Sequence, residues 1–258
     1  EDLLRLTYWP LNGYLGKMGR VIMNSVAQRD DCKIVAGVDA FRDSSDFSTS
    51  FPVFSKIEDV NVKADVIIDF SHPSALDGVL RYAVSRKLPV VIATTGLTEI
   101  QADDIHAASE VIPVFYTANM SIGVNLLCEL AKKAATLLYP DFNIEIIEQH
   151  HNQKLDAPSG TALMIANEIS SVLDENVDYE YDRHLKREKR PQNEIGIHSV
   201  RAGTIVGEHE VIFGGKDEIL KISHTAMSKE IFATGALNAA AFIKNKKPGM
   251  YSMKEMIG

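Results

Sequence analysis

The chain has 258 residues, of which 45% are apolar and 24% charged, with two cysteines. That balance excludes a disordered, collagenous or disulfide-scaffold protein and provides a core for one large domain or two of ordinary size. Lys plus Arg number 27 against 35 Asp plus Glu, a net charge of −8, which argues against adhesion to nucleic acid or an anionic membrane and requires any anionic ligand to find local positive charge.

Apolar runs such as Val66-Ile67-Ile68 and 89–93 have strand length, and charges interrupt everything longer, so no membrane span is expected. Cys32 and Cys128 lie in strand-like and helix-like runs as small core residues, which suits a reducing, cytoplasmic compartment. No basic segment followed by an apolar run opens the chain.

In chain order, a first strand is expected over 4–12, although Trp9 and Pro10 conflict with it because Pro cannot donate to a ladder. A helix follows over 17–28, then strands over 33–39 and 65–70, a helix over 73–85, a strand over 89–95, a helix over 98–109 and a strand over 113–117. Thr98 and Gln101 stand at capping-box spacing at the start of the last of these helices. This alternation predicts an α/β unit, a Rossmann-type doubly wound parallel sheet with crossover helices.

After Asn119 the rhythm changes to a long helix over 122–138, a strand over 142–149 and a helix after Ser159. Runs over 195–201, 208–213 and 219–223 then follow without helices between them, which predicts antiparallel strands in a second, α+β mixed-sheet domain. An Ala-rich helix over 230–243 must bury its surface, and a return to the first domain would do so. The basic stretch Arg183, His184, Lys186, Arg187, Lys189 and Arg190 reads as a solvated loop, since no aromatic platform accompanies it.

Gly13, Gly16 and Gly19 form a Gly-x-x-Gly-x-x-Gly turn directly before the helix at Lys17-Met18-Gly19. Small residues let the backbone approach a pyrophosphate while the N–H groups at the helix start face its charge. The usual dinucleotide fingerprint would place its first glycine where Tyr14 stands, so the turn alone is a weak signal. Asp39 strengthens it: 20 residues after Gly19 and at the end of an apolar run, it is placed to accept both adenine-ribose hydroxyls. Asp39 would repel a 2′-phosphate, which favours NADH, while Lys17 and Arg42 leave NADPH open.

The most informative segment is His150-His151-Asn152-Gln153-Lys154-Leu155-Asp156-Ala157-Pro158-Ser159-Gly160-Thr161-Ala162. Two imidazoles and an ammonium precede a helix start, an arrangement that binds carboxylates. Ser159 can cap the helix and Gly160 lets a ligand touch the backbone. Zinc on Glu148, His150 and His151 is a weaker reading, because adjacent residues of an extended chain point to opposite sides. A Ser159/His150/Asp156 hydrolase lacks the Gly-x-Ser-x-Gly elbow.

With these residues in view, the chain resembles the 4-hydroxy-tetrahydrodipicolinate (dihydrodipicolinate) reductase family. The full His-His-x-x-Lys-x-Asp-Ala-Pro-Ser-Gly-Thr-Ala signature from His150 to Ala162 carries the likeness, supported by Gly16-Lys17-Met18-Gly19-Arg20, Asp69-Phe70-Ser71, Thr94-Thr95-Gly96, 119–125 and 201–209. The resemblance implies a dinucleotide-binding domain at 1–121 with 231–258, a substrate-binding and tetramerisation domain at 122–230, and a homotetramer that takes a small dicarboxylate heterocycle. It also implies hydride transfer from NADH or NADPH in lysine and diaminopimelate biosynthesis. Carried over, His150 is the proton donor or acceptor and Lys154 a proton donor, both catalytic. His151, Ser159, Gly160 and Thr161 are placed at the substrate. Gly13, Tyr14, Leu15, Gly16, Lys17, Met18 and Asp39 are placed at the cofactor, as are Ala93, Thr94, Thr95 and Thr117, Ala118, Asn119 and Met120; no metal is implied. Ala93 stands where the family usually has Gly, and Ala40 where many NADPH-accepting members carry a basic residue, which favours NADH. Two rivals remain: another two-domain nicotinamide oxidoreductase, and a dinucleotide-sensing protein without catalysis. A semialdehyde dehydrogenase would need a loop Cys, whereas Cys128 lies in a helical run beside Leu126, Leu127 and Leu130.

Overall fold

A computed structural model describes residues 6–40, 49–173 and 176–258. Arg42 and the first two residues of the strand expected over 4–12 lie outside the described residues. The chain packs as two compact units, 1–121 with 229–258 and 122–228.

In the first unit the elements are β1 (Thr7–Asn12), α1 (Lys17–Val26), β2 (Cys32–Val38), β3 (Val53–Phe54), β4 (Ile67–Asp69), α2 (Leu76–Arg86), β5 (Val90–Ile92), α3 (Glu99–Ser109) and β6 (Pro113–Tyr116). The second unit holds α4 (Ile122–Leu138), β7 (Asn143–His150), α5 (Gly160–Ser170), β8 (Asp178–Glu180), β9 (Glu194–Arg201), β10 (Gly207–Gly214) and β11 (Ile219–Ala226). The chain then re-enters the first unit with α6 (Glu230–Ile243), β12 (Gly249–Tyr251) and α7 (Met253–Ile257).

The first sheet has seven strands in the order β12-β6-β5-β4-β1-β2-β3, all parallel. Its central strands β1, β4 and β5 are buried on both faces, as parallel strands under crossover helices must be. One face packs Trp9, Leu11, Ile68 and Phe115 against α1 and α6, and the other packs Ala36, Ile67, Val90 and Val114 against α2 and α3. The helix expected over 73–85 begins as a 3₁₀ turn at Pro73–Ala75. There the His72 ring nitrogen accepts the Ser74 N–H at 3.2 Å.

Pro10 is accommodated by a bulge. The pairing of β1 with β2 shifts between Trp9 and Pro10, and β4 joins the other side of β1 only from Leu11 onward. The missing N–H therefore falls where no ladder bond is lost. Trp9, fully buried, anchors the strand in the core.

The second sheet has the order β11-β10-β7-β9-β8. Here the expectation of successive antiparallel strands is corrected. Only β10 and β11 pair as a hairpin; β9 does not neighbour β10 but runs parallel to β7 and β8, with β7 between them. α4 and α5 cover one face, burying Ile144, Ile146, Ile197, Val211 and Phe213. In the basic stretch His184, Lys186, Arg187 and Lys189 are exposed as expected, while Arg183 and Arg190 are half-buried against carboxylates. Arg183 pairs with the buried Glu194 at 2.5 Å, Arg190 with Glu145 at 2.8 Å, and Lys186 with Glu180.

α6 buries Ala233, Gly235, Ala236, Leu237, Ala239, Ala240 and Ile243, and its small residues allow close approach to α1, β5 and β6. A Cβ at Gly235 would fall 1.7 Å from the Met120 carbonyl oxygen. Gly235→Ala is therefore expected to destabilise the fold by about 2 kcal/mol or more, because backbone, not a flexible side chain, blocks the methyl. Chemical denaturation monitored by circular dichroism measures it.

Candidate functional site

The first candidate site lies at the carboxyl ends of β1, β2, β4 and β5, where ligands of open parallel sheets bind. Gly13 holds φ +81°, and a Cβ there would sit 2.5 Å from the Phe70 carbonyl oxygen. A Cβ at Gly19 would meet the Gly13 oxygen at 2.3 Å, so only glycines let the turn lie this tightly against β4 and α1. Gly16 caps α1, which begins at Lys17 and Met18. Asp39 reaches back from the end of β2 and accepts the Leu15 N–H at 3.2 Å. Tyr14 is 2% exposed and packs edge-on to Phe51, so its side chain belongs to the core and only its backbone faces the turn.

A buried carboxylate ties these strand ends together. Asp69, the last residue of β4, accepts from Asn12 Nδ2, Ser71 Oγ and Thr94 Oγ1, each at 2.7 Å. Full burial pushes its pKa up, against the pull of these three donors. Thr94 therefore points inward, while Thr95 lines a cavity of about 730 Å³ together with Gly13, Gly16 and Asp39. His72, Lys56, Glu58 and Arg81 also line it, and nothing in the glycine motif pointed to them. The glycine cradle, the helix start, the acidic strand tip and the volume suit a dinucleotide. In the segment after β6, the Asn119 side chain accepts the Ser121 N–H at 2.8 Å and Thr117 Oγ1 bonds the Asn119 carbonyl at 3.3 Å. Met120 is buried in the core, and Ala93 packs partly buried against it.

The second candidate site is built by the register of the five-stranded sheet. Along β7 every second residue faces the helices: Ile144, Ile146, Glu148 and His150 are all buried. Parallel pairing sets Arg201 beside His150, and antiparallel pairing sets His209 beside Glu148. Glu148, with no exposure, accepts Arg201 Nη2 at 2.7 Å and Nη1 at 2.8 Å, His150 Nδ1 at 2.6 Å and the Ser159 N–H at 3.1 Å. Burial alone would raise its pKa, but Arg201, His150 and the other donors outweigh it and bring it down to about 2.

Burial lowers the pKa of His150, partly offset by Glu148. Burial and the neighbouring His150 push His209 down to about 4. The two rings meet edge to face with centroids 5.3 Å apart. His209 Nε2 bonds Ser159 Oγ at 3.1 Å, and Ser159 Oγ in turn accepts the Ala162 N–H at 3.1 Å as the cap of α5.

The loop between β7 and α5 is pinned by backbone bonds from Ala202 to His150 and from Asn152 to Gly203. Arg201 Nη2 adds a bond to the Asp156 carbonyl at 2.5 Å. Lys154 Nζ donates to Asp156 Oδ1 at 2.8 Å. His151, next to the buried His150, is half-buried, and a Cβ at Gly160 would have open space around it. His150, Ser159 and the start of α5 at Gly160 and Thr161 are thus brought together around Glu148, with Lys154 held by Asp156 on the same loop. Glu148, Arg201 and His209 were not singled out for this role, although the alternation of β7 places Glu148 and His150 on one face. Among the described residues no group of three or more His, Cys, Asp or Glu side chains is arranged to hold a metal ion, and no helix is long and apolar enough to cross a membrane.

Comparison with known proteins identifies the family. Residues 10–120 match the family described as dihydrodipicolinate reductase, N-terminus, and residues 123–257 its C-terminus. A 4-hydroxy-tetrahydrodipicolinate reductase of Caldanaerobacter subterraneus subsp. tengcongensis is 50% identical over 247 residues, covering 96% of each chain. One of Clostridium novyi is 48% identical with the same coverage. A dipicolinate-bound dihydrodipicolinate reductase from Paenisporosarcina sp. TG-14 superposes with a TM-score of 0.83 at 28% identity, covering 97% of this chain and 99% of that one. A myo-inositol dehydrogenase of Corynebacterium glutamicum, 14% identical with a TM-score of 0.59 over 95% of this chain and 90% of that one, shares the fold. With both halves of the family matched in one chain and the His150 to Ala162 signature complete, this protein belongs to the 4-hydroxy-tetrahydrodipicolinate reductase family.

Proposed function

We propose that this chain reduces 4-hydroxy-tetrahydrodipicolinate, or the dihydrodipicolinate formed from it, to tetrahydrodipicolinate in the cytoplasm, as a step of lysine and diaminopimelate biosynthesis. The observation that carries this reading is the placement of the complete signature between the buried Glu148 anchor and the capped start of α5. A relative with dipicolinate bound supports a planar ring bearing two carboxylates as the ligand.

A bound reduced nicotinamide supplies a hydride to one carbon of a conjugated imine. The chain must supply the rest: grip for two carboxylates and a proton for the neighbouring carbon. His151 and the backbone at Gly160 and Thr161, at the positive end of the α5 dipole, hold the carboxylates. Lys154 leaves Asp156 to pair with one of them, an exchange of one carboxylate partner for another. His150, or Lys154 itself, delivers the proton. Gly13, Leu15, Gly16, Lys17 and Met18 cradle the pyrophosphate, Asp39 takes the adenine ribose, and Ala93 to Thr95 with Thr117 to Met120 border the nicotinamide. The Asp39 carboxylate at the strand tip, and Ala40 where many NADPH-accepting family members carry a basic residue, favour NADH over NADPH. Exposed Ile219 and Leu220 on the edge strand β11 support a homotetramer formed through the second sheet.

The test is loss of NADH absorbance with substrate made in situ by the synthase that precedes this step. Turnover with NADH faster than with NADPH is expected. Dinucleotide binding without turnover would point to a sensor instead. His150→Ala is expected to lower kcat by ~10²–10⁴-fold, the scale of a lost general acid, and Lys154→Ala to impair both KM and kcat.

The protonation states also set acid stability. His209 takes a proton at about 4 when folded against 6.5 when unfolded, so its share of stability is complete above pH 6.5 and drains away as pH falls towards 4. His150 and His224, also lowered by burial, act in the same direction. Glu148, about 2 folded against 4.5 unfolded, contributes above pH 4.5 and loses its share as pH falls towards 2. Denaturant midpoints are thus expected to fall steadily from pH 6.5 downward, with a shallower slope between pH 6.5 and 4 in His209→Gln.

A further inference from the structure

We propose that Glu148 is a positioning residue that fixes the tautomer of His150, placing its ring proton on Nδ1 and leaving Nε2 as the atom that exchanges a proton with the substrate. The inference rests on the acid–base role proposed for His150 and adds the group that sets it.

Glu148 carries the argument because it is buried, ionised and saturated. Both of its oxygens are engaged by the Arg201 guanidinium, at 2.7 and 2.8 Å, and the Ser159 N–H occupies Oε1 at 3.1 Å. An ionised carboxylate only accepts, so the 2.6 Å contact with His150 must be donation from Nδ1–H. In the neutral imidazole that leaves the lone pair on Nε2, which takes up the proton that the imidazolium then delivers to the substrate. The His150 side chain keeps 11% of its surface exposed. A Cβ at Gly207 would sit 3.1 Å from Nε2, so glycine there spares the approach to that atom. The edge-on His209 ring is turned to Ser159 Oγ at 3.1 Å and does not bond Nε2.

The charged and titratable groups facing His150 come from three strands and a loop. They are Glu148 on its own strand, Arg201 from β9, His209 from β10 and Lys154 from the following loop. Burial, Lys154 and Arg201 all oppose a second proton on His150, and Glu148 alone favours it. The same carboxylate holds the N-cap of α5, so one side chain sets the imidazole and the anion-binding helix start relative to each other. This is the geometry by which a carboxylate orients a histidine that takes up and gives back a proton.

The experiment uses the full chain with ¹⁵N-labelled histidine, the His150 signals being identified by their absence in His150→Asn. In the wild type, neutral His150 is expected to show the Nδ1–H tautomer. In Glu148→Gln that tautomer preference is lost, the His150 titration and the alkaline limb of the pH profile move to lower pH, and kcat falls by about 10- to 100-fold with KM for the substrate within about threefold. Glu148→Asp, which keeps the charge, restores part of kcat and of the alkaline limb. In the His150→Asn background Glu148→Gln costs no further kcat, as for residues acting as a unit. An Nε2–H tautomer in the wild type, or an equal loss from Glu148→Gln in both backgrounds, overturns the proposal. Wild-type kcat in His150→Asn overturns instead the acid–base role on which it rests. If Glu148→Gln does not fold, the wild-type tautomer and Glu148→Asp decide.

Discussion

A buried carboxylate organises the second unit. Glu148 occupies a position that the alternation of β7 would give to an isoleucine, and an isolated charge there would cost several kcal/mol. It is tolerated because the guanidinium of Arg201, the imidazole of His150 and the Ser159 amide supply donors to both oxygens. Each donor comes from a different stretch of chain, so satisfying one charge fixes the end of β9, the end of β7 and the start of α5 together. Parallel pairing of β9 with β7 puts Arg201 within reach. A slip of one residue would turn it to the opposite face and leave the carboxylate unpaired.

The first unit uses the same device with a different electrostatic outcome. Asp69 is as deeply buried as Glu148 and accepts three short bonds, but all three donors are neutral: an amide and two hydroxyls. Without a cation, burial outweighs them and the pKa rises, whereas Arg201 helps bring Glu148 down. Asp69 thus acts as a hub for three strand ends and a neighbouring turn, and Glu148 as a fixed negative charge. A fixed charge is what an imidazole needs if its tautomer is to be set; a hub is what a backbone cradle needs if its glycines are to stay in place.

Much of this was readable in the sequence, and the reasons differ by element. The long helices α4 and α6 begin and end where apolar periodicity placed them, and the capping box at Thr98 and Gln101 forms as spaced. The glycine turn with Asp39 and the segment from His150 to Ala162 could be picked out because special backbone and charge are written in few residue types. The orientation of β9 could not, because periodicity says which face a strand buries but not which neighbour it pairs with. The two- and three-residue strands β3, β8 and β12 are too short to show a period at all. Pro10 argued against a first strand because a bulge, which depends on the partner strand, is invisible in one segment. The polar networks were hidden for a similar reason: Glu148 reads as one more charged residue until the sheet brings Arg201 and His209 beside it.

The ion pairing explains how a chain with net charge −8 can receive a dianion. Positive charge near the second site is already spent: Arg201 on Glu148 at 2.7 Å, and Lys154 on Asp156 at 2.8 Å. The first pair is buried, and breaking it would strand a carboxylate in the core, so Arg201 serves as structure rather than as a ligand for substrate. The second pair has a half-exposed partner, with the Asp156 side chain 58% exposed, and such pairs contribute at most about 1 kcal/mol. Releasing Lys154 from Asp156 is therefore cheap, and the displaced Asp156 returns to water at little cost. The two pairs divide the work by burial alone: the inner one holds the imidazole and helix start rigid, and the outer one, in the proposed reaction, keeps an ammonium in place until a ligand carboxylate replaces its partner.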